Sequence, residues 1–246
     1  VVGNEQDYHF KVLFEILKRL GMNCADHVYH LSYGMVELPS GKMKSREGTV
    51  VDADDLIEEV FSIAQQMANE QGKLSELAST QREQIYRQIG MGALRYFILK
   101  VDPKKKMIFN PQESIDFNGN TGPFIQYTHA RICSILRQAE AVGLYPDAEK
   151  NNWQDYKPVK AEISLIRKLD YFSMIVAEAA AQYSPALVAN YLYEIASDYS
   201  SYYHDYSILK EPSAAGRLFR LALSASARKV IAQALYLIGI EAPERM

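Results

Sequence analysis

Eight residues, Gly41-Lys42-Met43-Lys44-Ser45-Arg46-Glu47-Gly48, set three cations, a carboxylate and a hydroxyl between two glycines. Glycine lets backbone approach a ligand or move, and lysine and arginine carry donors suited to phosphate oxygens. By residue type the segment is either a phosphate-seeking loop or a solvated surface turn. A second set is Phe124, Tyr127 and Arg131, which share one helical face at i, i+3 and i+7. Two aromatic surfaces beside a guanidinium suit stacking of unpaired bases and contact with nearby phosphates. A core aromatic pair capped by a snorkelling arginine has the same spacing. A third set, Asn4-Glu5-Gln6 with His9, follows a strand-like end, where α/β sheets hold ligands. Capping and helix-surface duty is the plain alternative for Gln6 and His9.

These groups need elements to hold them. Val1 to Gly3 reads as a strand end, and a helix follows to about Leu20. Phe10, Leu13, Phe14, Leu17 and Leu20 form its inward face, with Gly21 as C-cap. His27 to Leu38 is a strand-like apolar run leading to the basic loop. Strand, turn, helix, strand is the βαβ rhythm. Asp52 is placed to N-cap a helix reaching about Gln71, with Leu56, Val60, Ile63, Ala64 and Met67 inward. A third helix spans Thr80 to about Val101 and buries Ile85, Ile89 and Phe97. Gly90 and Gly92 inside it imply close helix packing or a local break. Asp102 to Gly122, with Pro103, Lys104-Lys105-Lys106 and Asn118-Gly119, reads as irregular and marks a domain boundary. Its lysines suit a phosphate backbone or a solvated linker equally. From Pro123 on, helical period predicts helices to about Val142, Val159 to Tyr183, Pro185 to about Ser207, and Ser213 to Leu237, forming a bundle. The seven tyrosines between Tyr183 and Tyr206 read mostly as core lining with wet hydroxyls.

Composition narrows the partners. The 246 residues suffice for one large domain or two ordinary ones. With 48% hydrophobic and 23% charged residues, the chain is ordinary globular protein. A net charge of -3 gives no general pull on nucleic acid, so any polyanion site is a local patch. Cys24 and Cys133 form no zinc or CxxC spacing and are expected to be reduced, buried thiols. No apolar run is long enough to span a bilayer and no signal peptide is apparent. The start at Val1-Val2-Gly3 reads as a piece of a longer protein.

Four segments together resemble the C-terminal part of arginyl-tRNA synthetase, a class I aminoacyl-tRNA synthetase. Gly41 to Val51 resembles the KMSKS loop of that class in the arginine enzyme's Met-x-Ser-Arg-x-Gly form. Gly3-Asn4-Glu5-Gln6-Asp7-Tyr8-His9-Phe10 resembles the segment upstream. Gly119-Asn120-Thr121-Gly122-Pro123-Phe124-Ile125-Gln126-Tyr127 through Arg131 resembles the start of the anticodon-binding domain, and Leu237 to Met246 resembles the family's terminus.

The resemblance implies a mainly α fold in three parts. Residues 1–51 would be the tail of a Rossmann-like α/β catalytic domain, 52–118 stem-contact helices and connector, and 119–246 an α-helical anticodon-binding bundle of the DALR type. It implies ATP-dependent activation of arginine, with Mg2+ accompanying ATP, and transfer to tRNA(Arg) in the cytoplasm. Lys42, Lys44, Ser45 and Arg46 would serve the pyrophosphate side, where charge grows during displacement at the α-phosphate. Gln6, His9 and Met43 would line or support the ATP and arginine pocket. Phe124, Tyr127, Arg131 and the terminal Met246 would meet the anticodon loop. No prosthetic group, metal ligand set, membrane or DNA partner is implied. The class loop carries lysine in its fourth position, whereas this chain has Ser45 there and Lys44 one place earlier. None of the five histidines lies in the His-x-Gly-His spacing of the class, so the chain alone is expected to be catalytically inactive. The competing readings are a helical protein-interaction module and a cysteine-type class I synthetase.

Overall fold

The computed structural model describes residues 1–37, 52–71, 78–146, 153 and 155–246. Strand β1 (Val2–Gly3) runs parallel to β2 (Ser32–Tyr33), with helix α1 (Asp7–Arg19) crossing over between them. Parallel neighbours need such a crossover, so the βαβ rhythm is present. Gly21 ends α1 with φ +67°, the left-handed C-cap geometry. The expected inward face of α1 is different. None of its residues is buried, and Leu13 and Leu20 are 44% and 70% exposed. Periodicity specifies an apolar face but not what covers it, and the described residues leave this one largely open.

The apolar run from His27 is likewise not one strand. It divides at Gly34 into β2 and β3 (Val36–Glu37), which belong to different sheets. Gly34 N–H donates to the Pro103 carbonyl at 2.6 Å, turning the backbone away from β1. β3 then pairs in parallel with β4 (Met107–Ile108), Val36 opposite Met107. The segment 102–122 is therefore more than an irregular connector, since β4 and the fully buried Phe109 are stitched to the first part of the chain.

Helices α2 (Ala53–Gln71) and α3 (Ser79–Leu99) bury Val60, Ala64, Ile89 and Ala93 with Phe109 and Ile115 in a second, smaller core. Asp52 Oδ1 accepts from Asp54 N–H at 3.2 Å, as a helix start requires. After the short α4 (Pro111–Ser114) comes the bundle: α5 (Gly122–Ala141), α6 (Lys160–Asp170), α7 (Phe172–Gln182), α8 (Pro185–Asp205) and α9 (Ala214–Leu237). The helix expected over Val159 to Tyr183 is broken at Tyr171, whose ψ of -8° takes the backbone out of the α-helical path and lets α7 pack along α8. The main core includes Ile125, Ile132, Leu165, Leu192, Ile195, Tyr199, Leu221 and Ile231. Of the two cysteines only Cys133 is buried. Cys24 is exposed in the turn after α1, contrary to the sequence expectation.

The glycines of α3 mark close packing, and α3 runs through them without a break. A Cβ on Gly90 would sit 3.2 Å from the Phe61 backbone on α2. Where α3 crosses α5, a Cβ on Gly122 would run into the Gly92 carbonyl, and one on Gly92 would meet the Gln126 side chain. A buried ion pair fastens the far side of the bundle. Arg220 Nε of α9 donates to Glu162 Oε1 of α6 at 2.9 Å, and Tyr156, Tyr202 and the Val159 N–H complete the carboxylate's partners.

Candidate nucleic-acid interface

The aromatic–guanidinium set depends on how α5 starts. Thr121 Oγ1 accepts from Phe124 N–H at 3.3 Å, and Pro123 occupies the first turn, where no N–H is needed. The preceding turn is held by α3: Tyr96 OH donates to Asn120 Oδ1 at 2.6 Å, and Lys100 Nζ to the Asn120 carbonyl at 2.8 Å. Burial lowers the Lys100 pKa, a shift the charge of Glu113 opposes. With one side of α5 committed to the core through Ile125, Ile132 and Ala139, Phe124, Tyr127 and Arg131 are left half-buried.

The Arg131 guanidinium lies between two rings, 4.7 Å from the centre of Tyr127 and 5.2 Å from that of Tyr203 on α8. It also donates to Ser200 Oγ at 3.3 Å. Phe124 tilts against Tyr193 at 5.8 Å, and Tyr127 meets Phe117 edge-on at 6.3 Å. Beside Arg131 a groove of about 530 Å³ opens between α5 and α8, lined in part by Gln138, Ser200, Tyr203, His204 and Lys210. The structure therefore brings Tyr127 and Arg131 together and adds Tyr203, whereas Phe124 packs on Tyr193 and the main core. Spacing alone could not have singled out Tyr203, because Tyr202 and Tyr203 both fall at 3- and 4-residue spacing between Tyr199 and Tyr206.

Met246 is not part of that ring–guanidinium group. It packs, partly buried, against the second core, as does Phe117. The tail that brings it there is held through its backbone carbonyls. Arg95 donates to Gly239 O, Gln126 Nε2 to Glu241 O at 2.9 Å, His129 Nδ1 to Pro243 O at 2.9 Å, and Arg137 to Glu244 O at 3.2 Å. Gln126 also donates to Gln88 O at 3.0 Å, so one buried amide links α3, α5 and the tail. Burial is the main cause that lowers the His129 pKa. The hydrogen bond to Pro243 opposes the shift and the Arg228 charge adds to it.

A lowered folded-state pKa means that neutral His129 contributes stability above the unfolded value of about 6.5. That contribution is lost as pH falls through the folded pKa. Urea midpoints should therefore drop on acidification below about pH 6.5, and His129→Gln should flatten that slope. Equal slopes for the two proteins would contradict the assignment.

Gln6 and His9 sit on one turn at the start of α1, both exposed, with the His9 ring beside Tyr8. Lys104, Lys105 and Lys106 are exposed just before β4. Lys42, Met43, Lys44, Ser45 and Arg46 lie outside the described residues. Among the described residues no group of three His, Cys, Asp or Glu side chains could hold a metal ion, and no helix is long and apolar enough to cross a membrane.

Known proteins match this arrangement along nearly the whole chain. The model for the class I (R) tRNA synthetase catalytic domain matches residues 1–110, and the DALR anticodon binding domain model matches residues 125–246. Part of a class I catalytic domain joined to such a helical bundle defines a class I aminoacyl-tRNA synthetase. The arginine–tRNA ligases of Flavobacterium psychrophilum and Porphyromonas gingivalis are 54% and 52% identical to this chain over its full length. Among solved structures, arginyl-tRNA synthetase of Thermus thermophilus superposes on all of it with a TM-score of 0.84 at 30% identity. That of Plasmodium falciparum, at 21% identity and a TM-score of 0.75, shows the shared fold. The chain belongs to the arginyl-tRNA synthetase family, which sets aside the cysteine-type reading. It spans about 40% of the length of the curated relatives it matches.

Proposed function

We propose that this chain is the C-terminal part of an arginine–tRNA ligase and that it binds the anticodon loop of tRNA(Arg) on the α5–α8 face. The observation that carries the reading is Arg131 held between Tyr127 and Tyr203 at the edge of an open groove. Bases unstacked from the loop can lie on exposed ring surface while the guanidinium meets phosphate or a base edge. Phe124 and Met246 are assigned to the same interface from the family resemblance; Met246 packs, with Phe117, against the second core. Residues 119–246 form the anticodon-binding unit, 52–118 the stem-contact unit, and 1–51 the tail of the catalytic fold.

In the intact ligase, arginine is activated with Mg2+-ATP and passed to the terminal adenosine of the tRNA. Lys42, Lys44, Ser45 and Arg46 are assigned to the pyrophosphate side, and Gln6, His9 and Met43 to the ATP and arginine side. The 246-residue chain carries no His-x-Gly-His and does not activate arginine by itself. Arginine-dependent ATP–pyrophosphate exchange by the purified chain, above a loop-mutant control, would refute that part.

Titration with labelled tRNA(Arg) at two salt concentrations tests the interface. Affinity should fall as salt rises. Tyr127→Ala with Arg131→Ala should lower it by about 10- to 100-fold, since a base–aromatic stack is worth about 1–3 kcal/mol. Unchanged affinity in the double variant overturns the anticodon assignment, and salt-insensitive binding favours a protein-interaction surface.

A further inference from the structure

Tyr183 closes α7 with φ +50° and ψ +39°, and it is the one non-glycine residue with positive φ among those described. Glycine adopts this conformation without the steric cost a β-carbon brings, so a tyrosine here calls for a reason outside the cap. Its ring stacks on Tyr29 with centroids 4.5 Å apart and planes at 21°. Tyr29 belongs to the chain between α1 and β2, far from the bundle in sequence, and both rings remain 55% exposed. The contact is therefore a surface bridge rather than part of either core.

The next residue, His30, is tied into the turn ahead of α1. Its Nε2 donates to Val2 O at 3.0 Å, its Nδ1 lies 3.3 Å from the Asp7 carboxylate, and its ring stacks on Phe10 at 4.1 Å. Val2 and Asp7 flank Gln6, and Asp7 and Phe10 flank His9. A shift of Tyr29 thus acts on the backbone that carries Gln6 and His9.

We propose that the Tyr29–Tyr183 stack is a latch between the α7–α8 corner of the bundle and the Gln6–His9 turn, which makes Tyr183 a positioning residue for that turn. Its use in catalysis rests on the reading of Gln6 and His9 as pocket residues, but the latch itself does not. Movement of the bundle when RNA engages the α5–α8 face would reach the turn through two stacked rings and His30.

Hydrogen–deuterium exchange on the 246-residue chain tests this with three variants. Tyr183→Gly removes the ring and also the left-handed backbone cost, so a residue acting only as a cap would tolerate it or gain stability. As a latch, it should speed exchange at Val2 to Phe10 by about three- to tenfold, the range a stacked aromatic pair supports, with α9 amides unchanged. Tyr29→Ala should do the same, and Tyr183→Phe should keep wild-type exchange. Wild-type exchange at Val2 to Phe10 in Tyr183→Gly overturns the proposal. Altered exchange together with unaltered arginylation kinetics of the Tyr183→Gly ligase upholds the latch and refutes the pocket role of Gln6 and His9.

Discussion

Glu162→Ala should cost about 3–5 kcal/mol of folding stability, the range for breaking a buried ion pair from one side. For a chain of this size that is a fall of roughly 6–20 °C in Tm. The Glu162 side chain is fully buried and that of Arg220 is 7% exposed. The carboxylate accepts from Tyr156 OH at 2.9 Å, Tyr202 OH at 3.1 Å, Val159 N–H at 2.9 Å and Arg220 Nε at 2.9 Å. Arg220 Nη1 also donates to Ser207 O and pairs with Glu211, both at 2.8 Å, and Tyr206 lies 5.4 Å under the guanidinium. Removing the carboxylate leaves a buried cation and two hydroxyls short of acceptors, and that desolvation penalty, rather than the lost attraction, dominates the cost. Glu162→Leu with Arg220→Met removes both charges and should cost less than the sum of the single changes. Urea unfolding of the wild type, Glu162→Ala, the two single changes of the cycle and the double variant decides the matter. A loss below about 1 kcal/mol for Glu162→Ala would show that the network is not stabilising in this sense.

Gly122→Ala is the second large effect, expected at about 3 kcal/mol, the upper part of the usual range for overpacking. The added methyl meets the Gly92 carbonyl, which is backbone in the middle of α3 and cannot turn aside as a side chain could. α5 must lift from α3 at its first turn, moving Phe124 and Tyr127 relative to α2 and α3. A drop in tRNA affinity should therefore accompany the loss of stability. Gly92→Ala is milder, because the group in its way is the Gln126 amide. Gly119→Ala is the control: nothing lies within 4 Å of its added Cβ, so its effect should stay within about 0.5 kcal/mol. Thermal melts ranking Gly122→Ala no worse than Gly119→Ala would show that the crossing tolerates separation.

The sequence alone was enough for features that depend on local spacing or on motif order. Val60 and Ala64 on the inner stripe of α2, the Asp52 cap and the Gly21 stop follow from neighbours within one or two turns. The family followed from four segments in order along the chain. Tertiary structure decided which faces meet. Leu13 and Leu20 carry helical period yet stay exposed, and Gly34 sends one apolar run into two sheets. Glu162 and Arg220, 58 positions apart, become one buried pair, and Tyr203 leaves the tyrosine stripe of the core to close over Arg131. Periodicity acts through contacts a few residues long and so names a face. The partner of that face is chosen by packing, backbone turns and desolvation across the whole chain, as it is for Arg131 between Tyr127 and Tyr203.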